Sequence, residues 1–380
     1  MSLGNRIAAE LRGDRTIWMI IAVLSLFSIL AVYSATGSLA WSRGGNTTYY
    51  LITHMVRLGF GLLLIYVCHL LHYRRYQQFA PWLLMATVPL LFLTLLIGAN
   101  INSASRWLTL PGLDITFQTS DLAKIALITY VAKMLTAKQE YIKSLKDAFM
   151  PIIIPVLVIC GLIAPANLST ALVLFFTCIV LMFIGRVNWK YILLLGLLGL
   201  VVFAGLIILW KFFPSAVRVD TWVSRVSDFI NAEDGGYQVR EAKIAIARGG
   251  WFGVGPGNSI ARNFLPYAYA DFIYAIICEE YGLVGGGIIL GLYLLLFFRT
   301  VSLATKSPKA FGTFLALGLS LSLTVQALAN IAVAVNLVPV TGLTLPLISM
   351  GGTSMVFTCI SLGMILSVSK FIETYDETSG

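Results

Sequence analysis

The residues best suited to chemistry lie between Arg248 and Gly285, where a glycine-rich loop joins an apolar segment. Asp271 stands at that junction, shortly after Pro266 ends the preceding element. A carboxylate is favoured near a helix start but costly where a loop enters a membrane, so Asp271 is predicted to be functional. The glycines of the loop are expected to let its backbone approach a ligand closely; they are Gly249, Gly250, Gly253, Gly255 and Gly257.

Further polar residues are expected near the same end of the chain's helices. Asp121 and Lys124 are three residues apart, so they share a helix face and can pair. His54 and Arg57 repeat that spacing. For any single pair a structural role is favoured, but the gathering of several charges on one side favours a shared cavity. Its expected members are Arg57, Arg106, Lys124 and Asp271.

Other types of site find less support. The run from Gly253 to Ser259 lacks the Lys-Ser or Lys-Thr pair of a nucleotide-binding loop. The three histidines lack acidic or cysteine partners at zinc-ligand spacing. Glu279 and Glu280 are adjacent in an apolar segment, and at least one is expected to meet a cation or helix-end amides in a structural role.

The composition requires a membrane to position these residues. The chain has 380 residues, of which 58% are hydrophobic and 11% charged, against about 25% charged in soluble domains. The net charge of +9 is explained better by topology and anionic lipid than by nucleic acid. The five cysteines fall in apolar runs and indicate core positions, not disulfides.

The fold is predicted to be all-α, a polytopic membrane protein of ten transmembrane helices in one domain, 1–380. The spans are 16–36, 49–71, 79–99, 118–136, 149–164, 169–185, 191–211, 271–298, 311–336 and 346–369. Lysine and arginine in the short loops place both termini in the cytoplasm and the large loop, 212–270, outside. From charge alone, that basic loop is equally a solvated segment or a surface for an anionic substrate.

Three blocks of sequence resemble the SEDS family (shape, elongation, division and sporulation) of peptidoglycan polymerases. They read SRWLTLPG with FQTSDLAKIALI, GGWFGVGPGNSIARNFLPYAYADFIYAIICEEYG, and LVPVTGLTLPLISMGGTS. The resemblance covers nearly the whole chain, and the family's essential aspartate matches Asp271. Two residues depart from the family's pattern and put an ionic role at their positions in doubt. Asn167 stands where the family has an acidic residue, and Tyr267 stands where it has a glutamate.

The resemblance implies that the chain polymerises lipid II, an undecaprenyl-pyrophosphate-linked disaccharide peptide, in the inner membrane with the active site on the outer face. Asp271 would be the general base, with inversion at the donor anomeric carbon. A divalent cation (Mg or Mn) could assist, and no organic cofactor is expected. The expected partners are a class B penicillin-binding protein and division-complex proteins. Candidate substrate-binding residues are Arg57, Arg106, Asp121, Lys124, Arg248 and Ser259.

Three alternatives stay open at this point. GLTLPLIS favours the division (FtsW-like) branch over the elongation (RodA-like) branch of the family. A lipid-linked sugar flippase would use the same basic outer face, but the apolar inner halves of the helices favour the enzyme. A non-catalytic scaffold for a division-site partner is the third class.

Overall fold

The computed structural model describes residues 12–37, 47–101, 104–109, 116–197, 199, 219–231, 236–307 and 309–379. The helices before the large loop are α1 (Arg15–Ala35), α2 (Thr47–Leu70), α3 (Tyr73–Ile97), α4 (Thr119–Ala137), α5 (Met150–Ile163) and α6 (Leu168–Ile184). Within and after the loop come α7 (Val219–Asn231), α8 (Tyr237–Gly249), α9 (Ile273–Lys306), α10 (Ala310–Ala334) and α11 (Thr353–Ser379). The chain is thus an α-helical bundle, as predicted.

Seven helices of the described chain are long and apolar enough to cross a membrane. They are α1, α2, α3, α9, α10, α11 and α5, the last together with the π-turn Leu145–Phe149. Helices α4 and α6 match two more predicted spans, but α6 is shorter and α4 carries Asp121, Lys124 and Lys133. Of the predicted span 191–211, only its start is described, and residues 189–197 are helical. The count of ten spans stays a prediction.

The middle of the bundle is formed by α4, α10 and α11, which are buried along most of their length. Small residues let backbones approach closely, as in many membrane bundles. A Cβ at Gly363 of α11 would lie 2.7 Å from the Ile65 carbonyl oxygen of α2, and one at Gly61 would lie 2.6 Å from Cys359 Sγ. These two glycines therefore set the contact between α2 and α11.

A small sheet precedes α4, and the sequence did not predict it. Strands β1 (Ala99–Ile101), β2 (Ala104–Thr109) and β3 (Thr116–Gln118) pair antiparallel in that order. Trp107 is opposite Gln118, and Gln118 directly precedes the first residue of α4. The sheet therefore lies directly before the start of α4, at the end of the helix that carries Asp121.

The glycine-rich loop packs against the backbone of helix α9, and its predicted approach to a ligand stays a prediction. Helix α9 is broken at Gly282, whose φ of 70° and ψ of −172° are accessible essentially to glycine alone. Val254 N and Gly255 N donate to the Glu279 and Glu280 carbonyls at 2.9 and 3.1 Å. On the other side of the break, Leu283 N and Val284 N donate to the carbonyls of Gly250 and Trp251.

Several predicted boundaries differ from the structure, among them the start of α3 at Tyr73 instead of 79 and the end of α9 at Lys306 instead of 298. Helix α9 begins at Ile273, so Asp271 lies in a turn before it, and α11 begins at Thr353, seven residues after the predicted start at 346. Proline and glycine at 346, 351 and 352 explain the later start of α11, since they keep that backbone out of a helix. The predicted loop 212–270 contains two helices, α7 and α8, with α8 packed on α9.

Candidate functional site

A cavity of about 230 Å³ lies where the turn before α9 meets the start of α4 and the irregular segment before α11. It collects polar side chains from five separate parts of the chain. Asp271, Asp121 and Lys124 all line it, as the sequence predicted for a shared site. The other lining residues are Trp107, Gln118, Asn167, Thr170, Tyr267, Ala270, Gln326, Gly342, Leu343, Thr344, Met350, Gly351, Gly352 and Ser354.

Asp271 is held in place by a tight turn and by a buried amide. The backbone nitrogens of Ala270 and Asp271 both donate to the Tyr267 carbonyl, at 2.9 and 3.3 Å, and Tyr267 has a positive φ of 56°. The Asn330 side chain of α10 donates to the Asp271 carbonyl at 2.7 Å and to the Leu343 carbonyl at 2.7 Å. Asn330 thus clamps the turn to the segment before α11.

Ser349 makes a second clamp between the same two segments. Its hydroxyl donates to the Ala270 carbonyl at 2.6 Å and accepts from Leu345 N at 2.8 Å. Met350 N donates to the Tyr269 carbonyl at 2.9 Å. The two clamps fix the backbone of the Asp271 turn from both sides, so the turn that carries the carboxylate is preorganised.

The floor of the cavity is the ion pair that the sequence predicted. Lys124 Nζ lies 2.7 Å from Asp121 Oδ1 and donates to Gln326 Oε1 at 3.0 Å, while Gln326 Nε2 donates to the Thr344 carbonyl. Asp121 is 2% exposed, and its second oxygen, Oδ2, has no hydrogen-bond partner among the described residues. A buried acceptor without a donor is costly, which indicates an atom that a ligand or ion would satisfy.

A cation that sequence reasoning missed, Arg225 of α7, lies near Asp271. Burial lowers the pKa of the Arg225 guanidinium, and the negative charge of Asp271 opposes that shift. Arg225 Nη1 also donates to the Val340 carbonyl at 3.2 Å. In the sequence it was one of six basic loop residues, so its charge alone could not single it out.

Gln326 and Asn330 were also missed, although both carried a signal. They are polar amides in the otherwise apolar helix α10, and polar side chains inside a membrane helix indicate function or helix pairing. Asn167, which replaces an acidic residue of the family pattern, lines the cavity and caps α6 by accepting from Thr170 N at 3.3 Å. A neutral amide is sufficient for that role.

Arg248 and Ser259 are not brought to the cavity; both contact Glu279. Arg248 Nη1 lies 3.4 Å from Glu279 Oε1, and Ser259 Oγ donates to Glu279 Oε2. The backbone nitrogens of Ile260 and Ala261 donate to the same carboxylate at 3.1 and 3.2 Å. The prediction that at least one residue of this acidic pair meets a cation or amides is confirmed for Glu279, and its structural role stays a prediction.

The predictions that Arg57 and Arg106 bind substrate at the cavity have different outcomes. Arg57 is exposed on α2 and does not line the cavity. Its predicted neighbour His54 is buried and contacts Ser28 Oγ through Nε2 at 2.9 Å. Arg106 falls in β2, but its side chain lies outside the described residues.

The donor set of the cavity fits a magnesium-like ion that is completed by substrate. No group of three histidine, cysteine, aspartate or glutamate side chains gathers in the described parts of the chain. Two carboxylates, Asp121 and Asp271, do line one cavity, and Oδ2 of Asp121 lacks a partner among the described residues. Mg²⁺ is commonly bound by one or two carboxylates together with substrate phosphates.

Comparisons with known proteins agree along nearly the whole chain. The protein-family model for FtsW, RodA and SpoVE, described as cell cycle protein, matches residues 14–374. A probable peptidoglycan glycosyltransferase FtsW from Geobacter sulfurreducens is 33% identical over 379 residues, covering 97% of this chain and 98% of the relative.

Two solved structures show the same fold. One comes from work titled structural coordination of polymerization and crosslinking by a peptidoglycan synthase complex. It is 29% identical with a TM-score of 0.74, covering 95% of this chain and 98% of the other. The other is the rod shape determining protein RodA of Thermus thermophilus, 28% identical with a TM-score of 0.67, covering 94% and 96%.

Proposed function

The chain belongs to the FtsW, RodA and SpoVE family of cell cycle proteins, and from that premise we infer that it is a peptidoglycan glycosyltransferase. The observation that carries the inference is the meeting of the Asp271 carboxylate with the Asp121–Lys124 pair in one preorganised cavity. A sugar polymerase needs a proton acceptor beside a site for an anionic leaving group. The cavity supplies a carboxylate for the first need and the cation of Lys124 for the second, and Arg225 lies close to Asp271.

Asp271 acts as the general base in the proposed reaction. It takes the proton of the acceptor sugar hydroxyl while that oxygen attacks the anomeric carbon of the donor. The bond from that carbon to the lipid pyrophosphate breaks, and both of its electrons leave with the pyrophosphate. A single displacement of this kind inverts the anomeric configuration.

Lys124 and Arg225 stabilise the leaving pyrophosphate. Both lie near Asp271, and one more N–H of Lys124 is available beyond its bonds to Asp121 and Gln326. Arg106 is proposed as a third cation. A divalent cation, when bound at Asp121 and Asp271, would neutralise further charge on the leaving group.

The proposed substrate is lipid II, used in the division branch of the family. The FtsW name of the Geobacter relative and the GLTLPLIS run support that branch. A neighbouring structure that coordinates polymerization with crosslinking supports a class B penicillin-binding protein as partner. The protein is integral to the membrane; inner-membrane placement, cytoplasmic termini and an outward-facing site are part of the proposal.

A flippase would need a polar path that continues past the cavity. Below Asp121 and Lys124 lies a pocket of only about 20 Å³, which Ser322, Thr358 and Ser361 line together with apolar residues such as Ile125 and Phe357. Its polar lining continues past the pair, but the space holds only about one or two water molecules, so no sugar headgroup passes through this arrangement. The packing favours an enzyme over a carrier.

The decisive experiment is polymerisation of purified lipid II by the purified protein, with and without the class B penicillin-binding protein. Asp271→Asn keeps the size and hydrogen bonding of the side chain but cannot accept the proton, so glycan synthesis should fall by about a hundredfold or more. Glycan chain length on gels gives the readout. Asp228→Asn, an exposed acid on α7, is the matched control and should polymerise normally.

Glycan chains of near-normal length and amount from the Asp271→Asn variant would show that Asp271 is not the general base. Lipid flipping without glycan synthesis by the wild-type protein and its partner would instead support the carrier.

A further inference from the structure

An open apolar groove runs between α3 and α5 on the outside of the bundle. Its walls include Val88, Pro89 and Phe92 of α3, and Leu157, Gly161 and Leu162 of α5. Gly161 faces the groove with open space, since a Cβ there would meet nothing within 4 Å. Its described lining is apolar throughout, so the groove is suited to a hydrocarbon chain.

The groove is connected to the Asp271 cavity through shared residues. A narrow cleft lies between them, bordered by Thr94, Ser120, Leu162 and Asn167. Leu162 lines both the groove and the cleft, and Asn167 lines both the cleft and the cavity. The groove, the cleft and the cavity therefore lie side by side, with Leu162 and Asn167 as the walls between them.

The groove also lies at the correct depth. Phe92 is five residues before the end of α3 at Ile97, and Gly161 is two residues before the end of α5 at Ile163. At 1.5 Å per residue, the two side chains lie about 8 and about 3 Å from the helix ends that flank the cavity. The groove occupies the half of the bundle in which the cavity lies.

We propose that this α3–α5 groove binds the polyprenyl chain of the lipid-linked substrate whose pyrophosphate occupies the Asp271 cavity. The proposal rests on the proposed function, because a pyrophosphate beside Lys124 carries a chain that must leave the cavity sideways into lipid. The groove gives that chain an apolar path. A hydrocarbon chain gains little from leaving lipid for protein, so the groove acts mainly by steering the headgroup into register.

The cleft has to widen to admit the chain. It has room for about one water molecule, and Thr94 Oγ1 lies 2.9 Å from Thr119 Oγ1 on one wall. Leu162 separates the cleft from the groove and is half-buried, so in this proposal its side chain has to move for the chain to pass.

The test fills the groove with a large side chain and varies the length of the substrate's polyprenyl chain. Gly161→Trp places an indole in the groove, while Gly287→Trp places one on the outer face of α9, where a Cβ also meets nothing within 4 Å. KM is measured with undecaprenyl lipid II and with a farnesyl analogue. Gly161→Trp should raise KM for the undecaprenyl substrate by at least about fivefold and leave the farnesyl analogue nearly unchanged.

Gly287→Trp should change neither KM value. Equal KM values for Gly161→Trp and wild type with the undecaprenyl substrate would overturn the proposal. So would equal increases for both substrates, because they would indicate damage to the cavity itself.

A second measurement separates failure of the groove from failure of the proposed function. A diazirine-bearing undecaprenyl phosphate is photo-crosslinked to the wild-type protein, and labelled peptides are identified by mass spectrometry. Label at 88–92 and 157–162 that excess undecaprenyl phosphate displaces, and phosphatidylglycerol does not, supports the groove even without polymerisation. Displacement by phosphatidylglycerol, or label on other faces alone, would show ordinary bilayer lipid and overturn it.

Discussion

At the scale of single residues, the site depends on a buried ion pair whose two members have unequal surroundings. Lys124 is bonded to Asp121 and Gln326, whereas Asp121 has one oxygen without a partner among the described residues. Removing one member of a buried pair leaves an uncompensated charge, while replacing both with apolar residues can be nearly neutral. Stability and catalysis can therefore be separated at this pair.

We expect Lys124→Met to lower the free energy of unfolding by about 3–5 kcal/mol, because Asp121 would stay buried without its cation. The double variant Asp121→Leu with Lys124→Met should recover most of that loss. Both should fail to polymerise lipid II if Lys124 binds pyrophosphate. Thermal unfolding in detergent and the glycan gel assay measure the two effects.

The conservative change Lys124→Arg is the control for charge, since it keeps the cation at the cavity. Full polymerisation by the stable double variant would show that the pair has only a structural role in α4 and its contact with Gln326.

At the scale of elements, the break in α9 determines how the glycine-rich loop packs on this helix. The glycine-rich loop inserts backbone groups on both sides of Gly282, so the loop and the helix satisfy each other's donors and acceptors. A Cβ at Gly282 would lie 2.2 Å from the Trp251 carbonyl oxygen, and one at Gly253 would lie 2.1 Å from that of Glu280. The loop carries Ser259 to the buried carboxylates, so the break also determines how Glu279 is neutralised.

Gly282→Ala should destabilise the protein by at least about 2 kcal/mol, because alanine cannot adopt the observed backbone angles and its methyl group would meet the loop. Gly287→Ala, five residues further along α9, should be neutral or slightly stabilising, since it raises helix propensity in open space. Thermal unfolding of both variants measures the difference. Equal melting temperatures would show that the loop is not locked to the helix at Gly282.

At the scale of the whole molecule, the bundle has one end with the Asp271 cavity and one end with basic loops. Helix α4 runs from Asp121 to the lysine-bearing connection before α5, and α9 runs from the Asp271 turn to Lys306. Since the positive residues of short loops favour the cytoplasm, we expect the Asp271 end to lie outside. A lipid-linked substrate and a partner transpeptidase would then reach the site from the same side.

This orientation predicts the labelling of introduced cysteines. Asn263→Cys, exposed beside the Asp271 turn, should react with a membrane-impermeant thiol reagent in intact cells. Glu140→Cys, exposed between α4 and α5, should react only after the membrane is opened. The five native cysteines are buried, which keeps the background low. The reverse pattern would invert the topology.

The sequence by itself determined the class of molecule, most of its helices and the carboxylates that line the cavity. Long apolar runs specify membrane helices because hydrocarbon length and backbone hydrogen bonding leave few alternatives. The Asp121–Lys124 pair followed from helix periodicity, which is local. Asp271 followed from its place at the junction of a loop and an apolar run.

The tertiary structure alone decided which distant residues share the cavity. Arg225, Gln326 and Asn330 approach Asp271 by packing between segments far apart in the chain, and no local pattern encodes such distances. Arg248 shows the converse: its charge suggested a substrate contact, yet the fold gives it to Glu279. Two of the loop glycines, Gly249 and Gly253, lie against the α9 backbone, which the sequence could not show, since a glycine permits a close approach without identifying the group that approaches.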